Sequence, residues 1–148
     1  WKRLLAGGCG IVRLPALQGL PAEIGAPVPM GQALDEFDVN RCSLSRPGDD
    51  TSLSPFIRFA LTAADEAISG WKPTDEVALE RAGVAIGSGI GSLTDIVEAS
   101  TVLSARGYRR ISPHFIPKML VNMAAGQVSI RMGFKGPTTA PSTACATG

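Results

Sequence analysis

The sequence predicts a layered α/β fold in which helices cover a sheet. A stretch with apolar residues on one helical face begins at Pro55, and a short apolar run bounded by glycines follows at residues 83–87. Two more helical patterns then precede a strand-compatible segment at residues 138–143. The order helix, strand, helix, helix, strand favours helices packed on a sheet. A chain of 148 residues, 45% of them hydrophobic and 18% charged, suits one such domain or part of a larger one.

Residues 1–50 are rich in proline and glycine and carry no sustained period, so that residues 10–14 predict at most a short edge strand. The first helix begins where Ser54 provides a capping side chain and Pro55 the first helical position. Gly70 and Pro73 end this helix. Its apolar residues recur at helical spacing: Phe56, Ile57, Ala60, Leu61, Ala64, Ala67 and Ile68.

Residues 83–87 predict a buried strand, and a glycine-rich turn follows at residues 88–91. Ser92 and Asp95 have the spacing of a capping box, which predicts a helix with one apolar face that ends near Gly107. A third helix is expected from Pro117 to a cap at Gly133, followed by a turn at residues 135–137. The apolar residues of these two helices are Leu93, Ile96, Val97, Leu103, Met119, Leu120, Met123, Ala124 and Val128. We expect the two methionines among them to lie in the core.

Composition excludes several classes of function. The formal net charge of +1 provides no basic field for nucleic acid or for an acidic membrane surface. Three separated cysteines and a single histidine cannot assemble a disulfide framework or a zinc site. No apolar run reaches the length of a membrane span, and no signal peptide is visible in these residues. Because residue 1 is not methionine, we expect the natural N-terminus to lie further upstream.

The glycine turn at residues 87–91 follows a strand and opens a helix, as a dinucleotide-binding loop does. The fingerprint fails, because Ser92 stands where its last glycine is required and no acidic residue follows about twenty positions later. A phosphate-binding loop would need a Gly-Lys-Ser/Thr end, which is absent. These glycines therefore indicate tight backbone packing.

Two other groups of residues are weaker candidates for chemistry. His114 has no acid or nucleophile nearby in sequence and is interpreted as a structural or surface residue. Arg106, Tyr108, Arg109 and Arg110 could bind phosphate, but they are more simply a solvated loop after a helix.

Cys145 is the strongest candidate nucleophile. It lies among small residues, STACATG at 142–148, after an expected strand, where a sharp turn could expose its side chain. A helix starting there would stabilise a thiolate, and the amide of Cys145 could help to bind an oxyanion. A free cysteine among alanines is also typical of a small buried hydrophobe. Cys9 and Cys42 lack such surroundings and are interpreted as structural.

Four blocks of this sequence, in order, resemble the N-terminal half of a β-ketoacyl-[acyl carrier protein] synthase of the elongating type. They are VAIGSGIG at 84–91, ISPHFIP at 111–117, VNMAAG at 121–126, and GP at 136–137 followed by STAC at 142–145. The resemblance covers residues 83–148 closely and the earlier residues more loosely. It favours the catalytic interpretation of Cys145.

The resemblance implies a thiolase-like layered αβαβα fold, of which this chain is an incomplete part. Residues 1–148 would be a partial N-terminal β-ketoacyl synthase domain, holding most of the first half without its opening strand and ending just after the nucleophile. It further implies a homodimer in the complete protein.

The resemblance also implies the chemistry. Cys145 would accept an acyl group from the phosphopantetheine arm of an acyl carrier protein, and two histidines and a lysine further along would promote decarboxylation of the malonyl thioester. No separate cofactor or metal is implied. Ile90 would line or gate the acyl pocket, and Phe115 would reach the pocket of the partner subunit.

The sequence departs from this family at two places. His114 replaces an aromatic residue beside Phe115, and residues 49–52 (DDTS) stand where many relatives carry basic residues that meet the acidic carrier. Carrier docking is therefore expected to use arginines elsewhere in the chain.

Two alternatives to fatty-acid elongation stay open on the sequence. One is a polyketide-type ketosynthase with the same cysteine turn. The other is a non-catalytic truncated form that binds acyl groups or dimerises.

Overall fold

The computed structural model describes residues 2–33, 36–38, 53–71 and 75–147. The chain divides into two compact units, residues 1–38 and residues 39–148. Within the described part of the chain, no helix is long and apolar enough to cross a lipid bilayer.

The first unit is built on a small antiparallel strand pair. Strand β1 (Val12–Arg13) pairs with β2 (Ile24–Gly25), and a 3-10 turn at Pro15–Leu17 lies between them. This pairing confirms the short edge strand expected near residues 10–14. Helix α1 (Lys2–Leu5) was not expected from the sequence, because four residues are too few to show a helical period.

The second unit contains five helices and two strands in its described residues. In chain order they are α2 (Pro55–Ala67), α3 (Glu76–Arg81), β3 (Val84–Ala85), α4 (Leu93–Arg106), α5 (Phe115–Met119), α6 (Met123–Met132) and β4 (Thr138–Thr139). Helix α2 matches the predicted segment, and Gly133 ends α6 in the left-handed conformation with φ +69°, as expected.

The core of this unit lies where α2 packs on α6. Ile57 and Leu61 of α2 are fully buried, and Ala124 and Ala125 present a small-residue surface on α6 that permits close approach of the two helices. Val128, Leu53 and Val84 are the other buried apolar residues. This core fixes the layer of helices against β3.

Strands β3 and β4 are parallel, with Val84 opposite Thr138 and Ala85 opposite Thr139. Backbone hydrogen bonds extend the pairing, from the Val84 N–H to the Pro137 oxygen at 2.9 Å and from the Ile86 N–H to the Thr139 oxygen at 3.2 Å. Strands that run in parallel have their carboxyl ends at the same edge of the sheet. The turns that follow β3 and β4 therefore lie side by side.

Three sequence predictions differ from the structure in extent, and one helix was missed. The buried strand expected at residues 83–87 is limited to Val84–Ala85, of which Val84 is buried and Ala85 is exposed. The third helix is split into α5 and α6, because Leu120 adopts an extended backbone between them. The expected strand at residues 138–143 is assigned only at Thr138–Thr139; Pro141 has no N–H to donate to a ladder. Helix α3 was missed, although Asp75 caps it by accepting a hydrogen bond from the Ala78 N–H at 2.8 Å.

Helix α4 has the predicted bounds but not the expected burial. Leu93, Val97 and Leu103 are 58%, 63% and 49% exposed, and no residue of this helix is buried. Met119 and Met123, expected in the core, are only half-buried. The apolar period predicted the helix correctly, but the described chain does not cover this apolar face.

Candidate active site

Cys145 lies in a tight turn just beyond β4. Residues Ala144–Ala146 form one 3-10 turn, and the cysteine side chain is exposed. The Thr143 N–H donates to Oγ1 of Thr147 at 2.8 Å, while the Ala146 N–H donates to the Thr143 oxygen at 3.1 Å. These local hydrogen bonds hold the turn on which Cys145 lies.

The residue before Cys145 has an unusual backbone. Ala144 has φ +51°, and it is the one non-glycine residue with positive φ among those that the structure describes. This left-handed conformation costs an L-residue about 1–2 kcal/mol. Such strain concentrates at functional sites, where the surrounding structure imposes it. Here small neighbours make the sharp turn possible, as the sequence predicted.

No α-helix starts at Cys145 within the described residues. The sequence analysis made stabilisation of a thiolate conditional on such a helix, but only a three-residue 3-10 turn is found up to residue 147. Because the described residues end two positions after Cys145, stabilisation of its thiolate by a helix terminus stays a prediction.

The glycine turn after β3 packs directly against the cysteine turn. A Cβ built on Gly87 would lie 2.5 Å from Cγ2 of Thr147 and 2.6 Å from the Pro141 oxygen. A Cβ on Gly89 would lie 3.3 Å from the Ala144 oxygen. The prediction that these glycines serve tight backbone packing is confirmed, and their partner is the loop that carries Cys145.

Ile90 lies in this glycine turn, between two closely packed glycines. Its side chain is 64% exposed, whereas the neighbouring Gly89 backbone contacts Ala144. Gly91 has φ +80°, and a Cβ there would overlap the carbonyl oxygen of Met119. The backbone of Ile90 is thus held at both ends, and its apolar side chain is exposed.

Phe115, the third predicted site residue, occupies a different part of this unit. It begins α5 and is half-buried, where it lines an open cavity of about 110 Å³ between α4, α5 and the segment that joins them. Apolar and charged side chains share this cavity, among them Val102, Ile111, Asp95 and Arg110. The structure thus places Ile90 beside the Cys145 turn, and Phe115 at a separate cavity.

A cluster of polar side chains at the starts of α2 and α4 and near the end of α5 was not anticipated from the sequence. Oδ2 of Asp95 lies 2.5 Å from the hydroxyl oxygens of both Ser54 and Ser92, and Oδ1 of Asp95 lies 3.8 Å from Nζ of Lys118. Ser54 also lies 2.6 Å from the Lys118 carbonyl oxygen, so that its single proton serves one acceptor at a time. We name Ser54, Ser92, Asp95 and Lys118 the Asp95 cluster.

Ser54 does not use its hydroxyl as predicted. It occupies the N-cap position of α2 but makes no side-chain capping hydrogen bond, because its hydroxyl is directed to Asp95 and Lys118 instead. Ser92 and Asp95, the predicted capping-box pair, agree better with the prediction. The hydroxyl oxygen of Ser92 accepts a hydrogen bond from the Asp95 backbone N–H at 3.4 Å. The distant contacts of Ser54 with Asp95 and Lys118, and the ion pair between Lys118 and Asp95, were invisible in the sequence.

The surroundings of Asp95 favour its ionised form. Burial raises the pKa of this carboxyl group, but hydrogen bonds from Ser54 and Ser92 and the charge of Lys118 lower it more. The net pKa lies below the ordinary value of 3.8. The cluster is therefore an ion pair supported by two hydroxyl groups.

We expect the Asp95 cluster to make stability depend on pH in the acid range. Because the pKa of Asp95 is lower in the folded state, the unfolded state binds its proton first as the pH falls. The stabilisation is complete above the unfolded pKa of about 4 and is lost as the pH falls through the folded value. Denaturant unfolding from neutral pH to about pH 3 should show the stability difference between wild type and Asp95→Asn shrinking toward acid. A constant difference would contradict this expectation.

The remaining sequence candidates are placed as follows. His114 is exposed at the start of α5, which agrees with a surface role. Its backbone N–H donates to Oγ of Ser112 at 3.2 Å. Cys9 is exposed, with its sulfur accepting a hydrogen bond from the Ile11 N–H at 3.4 Å. Cys42 and residues 49–52 lie outside the described residues. Across the described part of the chain, no group of three or more His, Cys, Asp or Glu side chains could hold a metal ion.

The family of proteins to which this chain belongs follows from comparison with known sequences. The family model described as "Beta-ketoacyl synthase, N-terminal domain" matches residues 1–148. The chain belongs to the beta-ketoacyl synthase family, and the resemblance seen in the four sequence blocks is confirmed.

Relatives of this chain are considerably longer. It is 43% identical over 166 residues to the mitochondrial 3-oxoacyl-[acyl-carrier-protein] synthase of Arabidopsis thaliana, covering all of this chain and 35% of that protein. It is also 43% identical over 152 residues to 3-oxoacyl-[acyl-carrier-protein] synthase 2 of Rhizobium meliloti, covering 36% of it. The chain thus spans little more than a third of these curated relatives.

Solved structures agree with the sequence comparison. A beta-ketoacyl synthase from Burkholderia phymatum superposes with a TM-score of 0.73 at 26% identity, over 99% of this chain and 35% of the other. The ishigamide ketosynthase/chain length factor gives a TM-score of 0.71 at 27% identity, over 96% of this chain and 38% of the other. The mixed α/β fold is therefore a thiolase-like N-terminal part, as predicted.

Proposed function

We propose that this chain is the N-terminal part of an elongating 3-oxoacyl-[acyl carrier protein] synthase and that Cys145 is its nucleophile. The observation that carries the proposal is the exposed Cys145 in a strained turn, packed against a glycine turn that presents Ile90. The names of the relatives at 43% identity support the fatty-acid type of carrier substrate.

In the proposed reaction, the sulfur of Cys145 attacks the carbonyl carbon of an acyl thioester. The acyl group moves to the cysteine, and the carrier leaves as its free thiol. Malonyl-carrier then loses carbon dioxide, and the resulting enolate carbon attacks the acyl-cysteine carbonyl. A carbon–carbon bond forms, the Cys145 thiolate is released, and the product is a 3-oxoacyl-carrier two carbons longer. The Cys145 amide is the group of this chain proposed to help stabilise the oxyanion.

The decarboxylation step needs groups that these residues do not supply. The chain holds one histidine, His114, which is exposed and does not match either catalytic histidine of the family. By resemblance, two histidines and a lysine of a longer chain perform this step. We therefore expect the isolated 148-residue chain to form no 3-oxoacyl product.

The acyl chain is proposed to lie against Ile90, with Phe115 contributing to the pocket of a partner subunit. Ile90 is exposed beside the Cys145 turn, and Phe115 borders an open cavity. Apolar side chains left exposed on α4, among them Leu93 and Val97, support burial against further protein in a homodimer. We also propose that further parts of the complete protein supply the remaining layers of the αβαβα fold.

The acyl carrier protein is proposed to dock on the arginines at the end of α4 and in the segment after it. Arg106, Arg109 and Arg110 are exposed, and Arg109 lies over the ring of Tyr108 at 5.9 Å from its centroid. Tyr108 is itself 71% exposed. An acidic carrier would be attracted to this basic and aromatic surface, which replaces the basic residues missing at 49–52.

Reversing two of these charges should weaken use of the carrier. For the complete protein with Arg109→Glu and Arg110→Glu, we expect the KM for acyl-carrier to rise about tenfold, because steering of an acidic partner is lost. Activity with a small acyl thioester that lacks the carrier should change little. The matched control is Arg81→Glu, an exposed charge reversal on α3. Equal effects of both changes would contradict the docking surface.

The proposed function is tested by assaying the complete protein with acyl-carrier and malonyl-carrier. Formation of 3-oxoacyl-carrier together with carbon dioxide supports it, and absence of condensation overturns it. Competition between malonyl-carrier and polyketide extender units separates the fatty-acid type from the polyketide type. Condensation by the isolated 148-residue chain would contradict the requirement for the missing histidines, whereas acyl binding without condensation by a complete protein would favour the non-catalytic form.

A further inference from the structure

We propose that Asp95 is a positioning residue that ties the turn carrying Ile90 to the helix carrying Phe115 and thereby sets acyl chain-length selectivity. The proposal rests on the proposed function, since it assigns a use to the two pocket residues named there. Asp95 touches neither the cysteine turn nor the reacting atoms; it acts through the elements that it holds.

The Asp95 cluster joins three helices. Asp95 lies in the first turn of α4, Ser54 stands immediately before α2, and Lys118 lies near the end of α5. The Asp95 side chain is only 13% exposed and that of Lys118 is 21% exposed. A carboxylate so little exposed is stable only when it is paired, and these contacts pair it.

The cluster connects to Ile90 through the chain itself. Ser92 is two residues beyond Ile90, and its hydroxyl bonds to Asp95. Gly91, between them, donates its N–H to Oγ of Ser88 at 3.0 Å. The position of Asp95 therefore determines where the C-terminal side of the Ile90 turn lies.

The same cluster connects to Phe115 through α5. Lys118 contributes both its ammonium group and its carbonyl oxygen to the cluster, and the next residue, Met119, contacts Gly91 through its carbonyl oxygen. Phe115 begins this five-residue helix. A shift of Lys118 therefore moves Phe115, which lies on the same helix. It also weakens the contact between Met119 and Gly91 that holds the Ile90 turn.

The Asp95 cluster also borders the cavity beside Phe115. Asp95 and Lys118 line it together with apolar residues of α4, including Ala99 and Val102. One methylene group more or less on a substrate in a hydrophobic pocket is worth about 10-fold to 200-fold in kcat/KM. Under the proposed function, a cluster that holds both the Ile90 turn and α5 thus fixes one wall of the acyl pocket of this subunit and, through Phe115, one wall of the pocket of the partner subunit.

The experiment compares the complete wild-type protein with Asp95→Asn, Ser54→Ala and a control, Glu80→Gln, which changes an exposed carboxylate on α3. The first readout is the ratio of kcat/KM for a long-chain and a short-chain acyl-carrier. We expect Asp95→Asn to change this ratio about tenfold, Ser54→Ala to change it in the same direction, and the control to leave it unaltered. A general loss of stability would lower both kcat/KM values and leave their ratio unchanged.

The second readout is hydrogen exchange, which does not depend on activity. We expect Asp95→Asn to speed exchange of backbone amides both in the Ile90 turn and in α5, and the control to do neither. Unchanged exchange in either element, or an unchanged selectivity ratio, overturns the proposal. If the wild-type protein performs no condensation, the proposed function is wrong, and the claim about acyl selectivity is wrong with it. The hydrogen-exchange result still decides whether Asp95 ties the Ile90 turn to α5.

Discussion

The complete protein carrying Cys145→Ala should lose condensation almost entirely. The thiol of Cys145 is the only group proposed to receive the acyl chain, and it stands exposed in a strained turn. Removing a covalent nucleophile typically lowers kcat by about 10³-fold or more. The measurement is the rate of 3-oxoacyl-carrier formation, together with mass spectrometry of the protein after incubation with acyl-carrier. We expect an acyl adduct on wild type and none on the variant.

Cys9→Ala is the matched control for this substitution. Cys9 is also an exposed free cysteine, but it belongs to the first unit, whereas Cys145 belongs to the second. We expect Cys9→Ala to keep both the condensation rate and the acyl adduct. Condensation retained by Cys145→Ala, or an adduct mapped to Cys9 instead, would remove Cys145 from the mechanism.

Gly87→Ala should lower the rate of condensation, although Gly87 is not one of the reacting groups. The added methyl group would lie 2.5 Å from Cγ2 of Thr147 and 2.6 Å from the Pro141 oxygen, and both belong to the loop that carries Cys145. Thr147 cannot yield easily, since its Oγ1 accepts the Thr143 N–H at 2.8 Å. Displacement of a nucleophile by about 1 Å can cost about 100-fold in rate, and overpacking costs about 1–3 kcal/mol of stability.

The control for this change is Gly70→Ala. A Cβ at Gly70 meets nothing within 4 Å, and the residue is exposed. Comparing kcat/KM and the rate of Cys145 alkylation in the two variants isolates the effect of the contact. Wild-type rates in Gly87→Ala would show that the two turns are not held against each other in the working enzyme.

The local signals in the sequence predicted the elements that local physics dictates. Ser54 and Pro55 predicted the start of α2, and the capping pair at Ser92 predicted the start of α4. The glycines at residues 83–87 correctly bounded a strand. Short or interrupted elements escaped, namely α1, α3 and the break at Leu120, because a few residues do not establish a period.

The candidate site was predicted unevenly for a related reason. Cys145 and the close packing of the glycine turn could be anticipated from small residues beside strands. The contact between Gly89 and Ala144 could not, because it joins residues 55 positions apart in sequence through a parallel strand pair. The roles of Ile90 and Phe115 came from family resemblance, and they stay proposals.

The sequence by itself determined the class of fold, the bounds of its longer helices, the family and the candidate nucleophile, since each depends on neighbouring residues or on motif blocks. Only the tertiary structure decided that Ser54 bonds to Asp95 rather than capping its own helix, and that Leu93 and Val97 lie exposed on α4. A hydroxyl group can bond to any acceptor within reach, and an apolar period does not specify which surface covers it. Both outcomes depend on distant parts of the chain being brought together, which no local pattern encodes.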